Sequence, residues 1–209
     1  MLGATGLTGS HLLEMLLECK EYNKIIIYVR KPGGIHHPKL EEKIIDYHTW
    51  QEAVLADDVF CCLGTTIKKA KTKEAFRKVD LEYPVKIAQL QKKAGSKRFL
   101  VISAMGANSK SAIFYSKVKG EMEEQVQQIG YESLFIFRPS FITGNRKENR
   151  AGESIGIGLF KLIGPLLTGP LKKYRSVSAD AIAKAMLHMA QTETQGTQVF
   201  LSDEINKFS

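Results

Sequence analysis

Four short, continuous apolar runs recur along the chain, over residues 25–29, 59–63, 99–102 and 134–137. Runs such as Ile25-Ile26-Ile27-Tyr28-Val29, with no polar face, suit strands covered on both sides, as in a parallel sheet. A weaker strand is expected over 43–47 and a late one over 198–201. Helical stripes fill the intervals. Leu12, Leu13, Leu16 and Leu17 form one, and Phe76, Val79, Tyr83, Ile87 and Leu90 predict a helix over 73–94, with Pro84 as a place for a kink. Residues 111–129 and 179–190 predict two more, the last with Ser178 as its cap. Strands alternating with helices require right-handed crossovers, which sets the fold class: α/β, a doubly wound and mostly parallel sheet.

No fixed-period repeat, low-complexity tract or linker divides the 209 residues, so one domain over 1–209 is expected, with 142–175 as a substrate-side insertion. A chain of this size buries a core without metal or disulfide staples. With 44% hydrophobic and 25% charged residues, disorder, collagen and coiled coil are excluded. Three cysteines, an odd number with Cys61 and Cys62 adjacent, predict a reducing, cytoplasmic setting, and the opening residues lack the pattern of a secretory signal. Residues 155–171 are largely apolar, but Lys161, Pro165, Pro170 and four glycines interrupt them. They fall short of the roughly 20 apolar residues of a spanning helix, so a helix and loop packed over a cleft is expected and no transmembrane segment.

The sheet's opening is unusual. A nucleotide-binding sheet begins with a central strand that leads into a glycine turn. Here only Met1 and Leu2 precede Gly3. Either several residues of a natural start are missing or the first strand is nearly absent. Truncation is the favoured expectation, because an absent central strand leaves its neighbours' backbone groups unpaired.

Gly3-Ala4-Thr5-Gly6-Leu7-Thr8-Gly9 has the spacing GxxGxxG and opens the first helix. Glycines let backbone N–H groups approach a pyrophosphate, and the helix N-terminus adds partial positive charge. Thr5 and Thr8 add hydroxyl donors. An NAD site normally carries an acid about 20 residues further on, for the ribose hydroxyls. This chain has Tyr28-Val29-Arg30-Lys31-Pro32-Gly33-Gly34 there instead. A guanidinium pairs with a 2′-phosphate that a carboxylate would repel, so NADP(H) is predicted, with Arg30 the main contact and Lys31 in support.

Tyr115-Ser116-Lys117-Val118-Lys119 sets Tyr115 and Lys119 one helical turn apart. An ammonium beside a phenol favours phenolate, which makes Tyr115 a candidate acid or base, with its pKa expected to fall below the ordinary value. Ser103 follows the apolar run ending at Ile102, at the strand end where such sheets place their sites.

These strings resemble the short-chain dehydrogenase/reductases, in particular their atypical, extended-like branch. The likeness spans almost the whole chain, through the glycine turn, Ser103, Tyr115 with Lys119, and Arg138-Pro139-Ser140-Phe141. Phe60-Cys61-Cys62-Leu63-Gly64-Thr65-Thr66 and Val118-Lys119-Gly120-Glu121 are similar to the Tat-interacting oxidoreductase-like subgroup. The resemblance implies an NAD(P)-binding Rossmann fold. It puts Leu63, Gly64 and Thr65 against the adenosine side, Tyr115 and Lys119 beside the nicotinamide ribose, and Pro139 against the nicotinamide. The family's Asn after the fourth strand has no evident counterpart; Asp80 lies nearby.

Other signals carry less. Cys61 and Cys62 point to opposite faces of a buried strand, and His36-His37 sits in a loop without companion ligands. Lys68, Lys69, Lys71 and Lys73 are either a solvated run or a contact for an anion. Arg146, Lys147 and Arg150 are either a selector of anionic substrates or a wet loop. The net charge of +8 attracts anions, but no recognition helix or aromatic-interleaved patch supports nucleic acid. The leading expectation is an NADPH-dependent reductase of a small-molecule carbonyl, with Ser103, Tyr115 and Lys119 as its catalytic set and pairing of two copies through helices. The alternative is a cofactor-sensing binding protein with little turnover. A sugar-nucleotide epimerase fits less well, because the length leaves little room for its substrate domain.

Overall fold

The computed structural model describes residues 1–144 and 169–209. Its strands are β1 (Ile25–Val29), β2 (Leu40–Ile44), β3 (Asp58–Cys61), β4 (Arg98–Ile102), β5 (Ser133–Arg138), β6 (Ile142–Thr143), β7 (Val177–Ser178) and β8 (Gly196–Leu201). Among the described residues the helices are α1 (Leu7–Glu18), α2 (Ile67–Ala70), α3 (Lys73–Arg77), α4 (Tyr83–Lys93), α5 (Phe114–Gln128), α6 (Ala179–Ala190) and α7 (Ser202–Ile205). Every strand pair is parallel, β2 with β1 on one side and β3-β4-β5-β8 on the other. The doubly wound, parallel α/β class is therefore what the chain adopts.

The first strand is reduced to Leu2, which joins the two halves. Leu2 N donates to Phe60 O at 2.9 Å, Cys62 N donates to Leu2 O at 3.0 Å, and Tyr28 N donates to Met1 O at 3.0 Å. Leu2 is fully buried. Below this bridge, toward the N-terminal ends of β1 and β3, lies a cavity of about 300 Å³ walled by Met1, Ile26, Asp58 and Phe60.

Alternation along the strands sorts the core into two faces. Ile27, Phe60, Leu100, Ile102, Phe135 and Phe137 pack with Leu12, Leu13 and Leu16 of α1 and Ile182 and Met186 of α6. Leu2, Tyr28, Val59, Cys61, Phe99, Val101 and Ile136 pack with Ile87 of α4 and Val118, Met122 and Val126 of α5. Cys61 and Cys62 fall on opposite faces as the alternation requires. Ser178 caps α6, accepting from Ala181 N at 3.0 Å.

Three elements differ from expectation. The strand expected over 43–47 is β2, three residues earlier at its start; Ile25 pairs with Leu40, and Ile44 is exposed at its end. The helix expected from 111 begins at Phe114, after the turn in which Ser111 N bonds Asn108 O. The single helix expected over 73–94 is broken by a π-turn over Lys78–Glu82, immediately before Pro84 at the start of α4. Proline has no N–H to give, and the wide turn accommodates it. The turn also rotates the stripe: Asp80 and Leu81 are buried, while Val79 and Tyr83 are only half-buried and line the groove described next. Of the insertion over 142–175, only 142–144 and 169–175 are described, and β6 pairs there with β7. Arg146, Lys147 and Arg150, and most of the apolar stretch 155–171, lie outside the described residues.

Leu2→Ala is expected to lower stability by about 2–5 kcal/mol, as for a fully buried leucine. Urea unfolding checks it, and an unchanged midpoint would show that the side chain contributes nothing at the seam.

Candidate active site

Leu2 runs directly into Gly3, whose φ of +76° is one that a side chain rarely tolerates. The turn is also tightly packed: a Cβ on Gly9 would stand 2.0 Å from Gly3 O. Gly6 is the N-cap of α1 with no side-chain cap, so the first N–H groups of the helix are offered to whatever lies in front of them. This end of α1 faces the point where the strand order reverses between Leu2 and β3, the usual place for a ligand in an open α/β sheet.

A groove of about 730 Å³ lies there. It is lined by Gly3, Thr5 and Gly6 from the turn, Arg30 and Lys31 after β1, and Leu63, Gly64 and Thr65 after β3. Lys69, Tyr47 and Tyr83 complete its wall, with the Tyr47 and Tyr83 rings stacked at 4.8 Å. None of these three was singled out from sequence as a groove residue; the signal available was the basic run after β3, which α2 turns toward the groove. Among the described residues no Asp or Glu lines the groove. Glu42 stands behind the loop, where it accepts from Gly33 N at 3.1 Å. Leu7 and Thr8, the first two residues of α1, turn their side chains away from the groove while their N–H groups stay at the helix end. Thr8 is buried in the first turn of α1, and Leu7 faces Gly144, where a Cβ would meet Leu7 Cδ1 at 3.0 Å. Successive residues of a helix splay around its axis, so the turn cannot aim all of them at one groove.

Ser103 and Pro139 meet because β4 and β5 stay in register past their ends. Ser103 N donates to Phe137 O at 2.7 Å and Met105 N to Pro139 O at 2.9 Å. Ser103 is buried, and its Oγ has no hydrogen-bond partner among the described residues. An unpaired buried hydroxyl costs free energy, and its pairing is one of the tasks a bound molecule performs. On α5, Tyr115 stacks obliquely on Phe76 at 5.6 Å, and Lys119 is buried one turn later. Lys119 Nζ lies 2.7 Å from Asp80 Oδ1. Asp80 Oδ2 accepts from Thr65 N at 2.8 Å, so this carboxylate joins Lys119 to the groove wall. Ser103, Tyr115, Lys119 and Pro139 do not line the groove themselves.

Electrostatics correct one expectation. The Tyr115 phenol is not made more acidic: burial raises its pKa above the ordinary 10.0, and Asp80 adds to the rise while Lys119 opposes it. For Lys119, burial is the largest influence and works against the charge. Asp80, Tyr115 and Cys61 together outweigh burial and hold the amine above the ordinary lysine value. The Cys61 thiol is pushed up to about 11 by burial, which leaves it protonated and unreactive. A second charged pair was also missed from sequence. Arg138 Nε donates to Glu123 Oε1 at 3.0 Å, tying the end of β5 to α5 one turn beyond Lys119. A buried acid at position 123 on an otherwise amphipathic helix was the available signal. Among the described residues no cluster of His, Cys, Asp and Glu could hold a metal, and no helix is long and apolar enough to cross a membrane.

A glycine turn against a helix N-terminus, at the switch point of a parallel sheet, defines a dinucleotide-binding protein of the Rossmann type with oxidoreductase-like construction. The chain belongs to the NAD(P)H-binding family, whose pattern matches residues 3–193. It is 31% identical to rat Protein HTATIP2, over 98% of this chain and 85% of that protein. It is 32% identical to Protein fmp52, mitochondrial, of Aspergillus niger, over 90% of this chain and 84% of that protein. The compartment in the fungal name is one that the cytoplasmic expectation did not include. Among solved structures, the oxidoreductase ylbE from Lactococcus lactis superposes with a TM-score of 0.66 at 18% identity, over 100% of this chain and 94% of that one. Human epimerase family protein SDR39U1 (isoform2) with NADPH superposes with a TM-score of 0.61 at 17% identity, over 96% and 72%. MoeE5 with UDP-glucose and NAD gives 0.68 at 14%, over 98% and 78%.

In a difference-absorbance titration against Tyr115→Phe, the Tyr115 phenolate is expected to form only above the ordinary value of 10.0. Its appearance well below that value would overturn the dominance of burial over Lys119.

Proposed function

We propose that this chain is an NADP(H)-dependent reductase of a small-molecule carbonyl. The observation that carries the reading is the groove wall: among the described residues Arg30, Lys31 and Lys69 line it and no carboxylate does. An anionic 2′-phosphate gains from guanidinium and ammonium groups there, whereas a site for the free ribose hydroxyls gains from an acid. The glycine turn and the uncapped N-terminus of α1 suit the pyrophosphate, and the unpaired Ser103 Oγ suits an acceptor oxygen beside Pro139.

The reduced nicotinamide, when bound, supplies hydride to a carbonyl carbon. The rest is work for this chain's side chains. Ser103 Oγ donates a hydrogen bond to the carbonyl oxygen, which strengthens as that oxygen gains negative charge. Tyr115, protonated at neutral pH, gives its phenolic proton to the same oxygen. Lys119 hydrogen-bonds the cofactor's ribose and offsets the charge left on the phenolate. A phenol held protonated is suited to the reductive direction. An intact serine, tyrosine and lysine set supports turnover over simple cofactor sensing, since a sensor needs no acid. Three free thiols support a reducing compartment.

Titration of NADPH and NADH at one salt concentration is expected to give at least about tenfold tighter binding of NADPH, a difference of about 1.4 kcal/mol. Arg30→Glu is expected to abolish that preference; equal affinities in the unaltered chain would remove the NADP(H) assignment. Tyr115→Phe is expected to retain cofactor binding and lose about 10²–10⁴ in turnover across a carbonyl panel read by NADPH absorbance. Unchanged turnover would eliminate Tyr115 as the acid, and a chain that binds NADPH but reduces nothing would favour the sensing role.

A further inference from the structure

The family resemblance leads to an asparagine near this position, and the chain has a carboxylate. Asp80 is on the π-turn between α3 and α4 and is 1% exposed, while Lys119 is 3% exposed. Its two oxygens are divided between partners: Oδ1 meets Lys119 Nζ at 2.7 Å, and Oδ2 accepts from Thr65 N at 2.8 Å. A neutral amide would present one acceptor oxygen, and could serve one of these donors but not both. The other titratable groups acting on Lys119 are Tyr115, on its own helix, and Cys61 of β3. Cys61 stays a neutral thiol and Tyr115 a neutral phenol at working pH, so Asp80 is the anion that balances the ammonium.

We propose that Asp80 is a positioning residue for cofactor binding, holding Lys119 in place and joining it to the turn after β3, so that the lysine and the Leu63–Thr65 wall act as one unit. This rests on the dinucleotide reading above. Burial alone drives an amine toward neutrality, and buried lysines without a partner lose their proton near or below neutral pH. With Asp80 beside it, Lys119 remains a cation and a hydrogen-bond donor throughout the working range. The same carboxylate fixes the Thr65 N–H, so displacement of the wall disturbs the lysine and vice versa. Asp80 acts through Lys119 and touches no substrate.

The test compares Asp80→Asn, Lys119→Met and the double variant with the unaltered chain. The substitution by Asn keeps one acceptor, for Thr65 N, and removes the charge and the acceptor that faces Lys119. NADPH affinity is read by fluorescence between about pH 5 and pH 9, the span in which an unpartnered buried lysine, its pKa lowered by about 3–5, titrates. The unaltered chain is expected to bind with little change over that span. Asp80→Asn is expected to weaken by about tenfold or more at the alkaline end and to recover as pH falls, the scale of one lost charged hydrogen bond. The ¹³Cε resonance of Lys119 in the cofactor-free protein is expected to titrate inside the same span only in the Asp80→Asn variant. A flat profile and an unmoved resonance overturn the proposal.

Should Asp80→Asn fail to fold, the double variant removes both charges and keeps the question open to measurement. Its NADPH affinity is expected to equal that of Lys119→Met. A further loss there shows that Asp80 acts by another route and overturns the proposal. A chain that binds neither dinucleotide at any pH refutes the cofactor reading instead, and the Lys119 resonance still reports the Asp80–Lys119 link, so the two failures are distinguishable.

Discussion

The backbone of one residue holds the sheet together. Leu2 is hydrogen-bonded to Phe60 and Cys62 on one side, and its neighbour Met1 to Tyr28 on the other, so β1 and β3 share a plane only through this segment. Everything chemical follows from where it ends. Gly3 turns away beside Cys62, which aims the N-terminus of α1 between two strand ends. A Cβ on Gly3 would lie 2.5 Å from Cys62 O, so the position requires glycine both for its backbone conformation and for the closeness of its neighbour. The groove is the space left by that reversal of strand order.

Two charged pairs secure the opposite wall. Taking charges out of water is costly, and breaking such a pair by removing one partner leaves the other charge stranded. Arg138 and Glu123 fasten β5 to α5, and Asp80 and Lys119 fasten the π-turn to the same helix one turn earlier. Replacement of both by apolar contacts would fill the same volume without presenting a cation beside Tyr115. The energetic cost of burying these groups is therefore matched to a task that packing alone does not perform.

Much of this architecture was legible in the residues. The four apolar runs became β1, β3, β4 and β5, because a strand with both faces covered has no polar position to disguise it. The α6 cap at Ser178 was equally plain, since it is a local side-chain bond. The break before Pro84 was located, but its form was not. A π-turn rotates the following side chains by less than a helical step, and no residue in 78–82 announces it. The site was legible as motifs and not as electrostatics. Spacing put Tyr115 and Lys119 on one helix face, but the acidity of the phenol depends on burial and on Asp80, and Asp80 comes from a different element. The side-chain directions of Thr8 and Leu7 were hidden for a related reason: a motif lists residues in order, whereas a helix distributes them around an axis.

The two halves of the sheet are joined by side chains as well as by backbone. Leu12, Leu13 and Leu16 of α1 and Ile27 of β1 share one core with Phe60 of β3, Leu100 of β4 and Ile182 and Met186 of α6. A dinucleotide lying across the groove would meet residues of both halves, Arg30 and Lys31 after β1 and Leu63, Gly64 and Thr65 after β3. Such a molecule binds the folded chain and not the unfolded one, so its concentration adds to stability by mass action. Occupancy would thus add a third link between the halves, beside the backbone seam and the shared core.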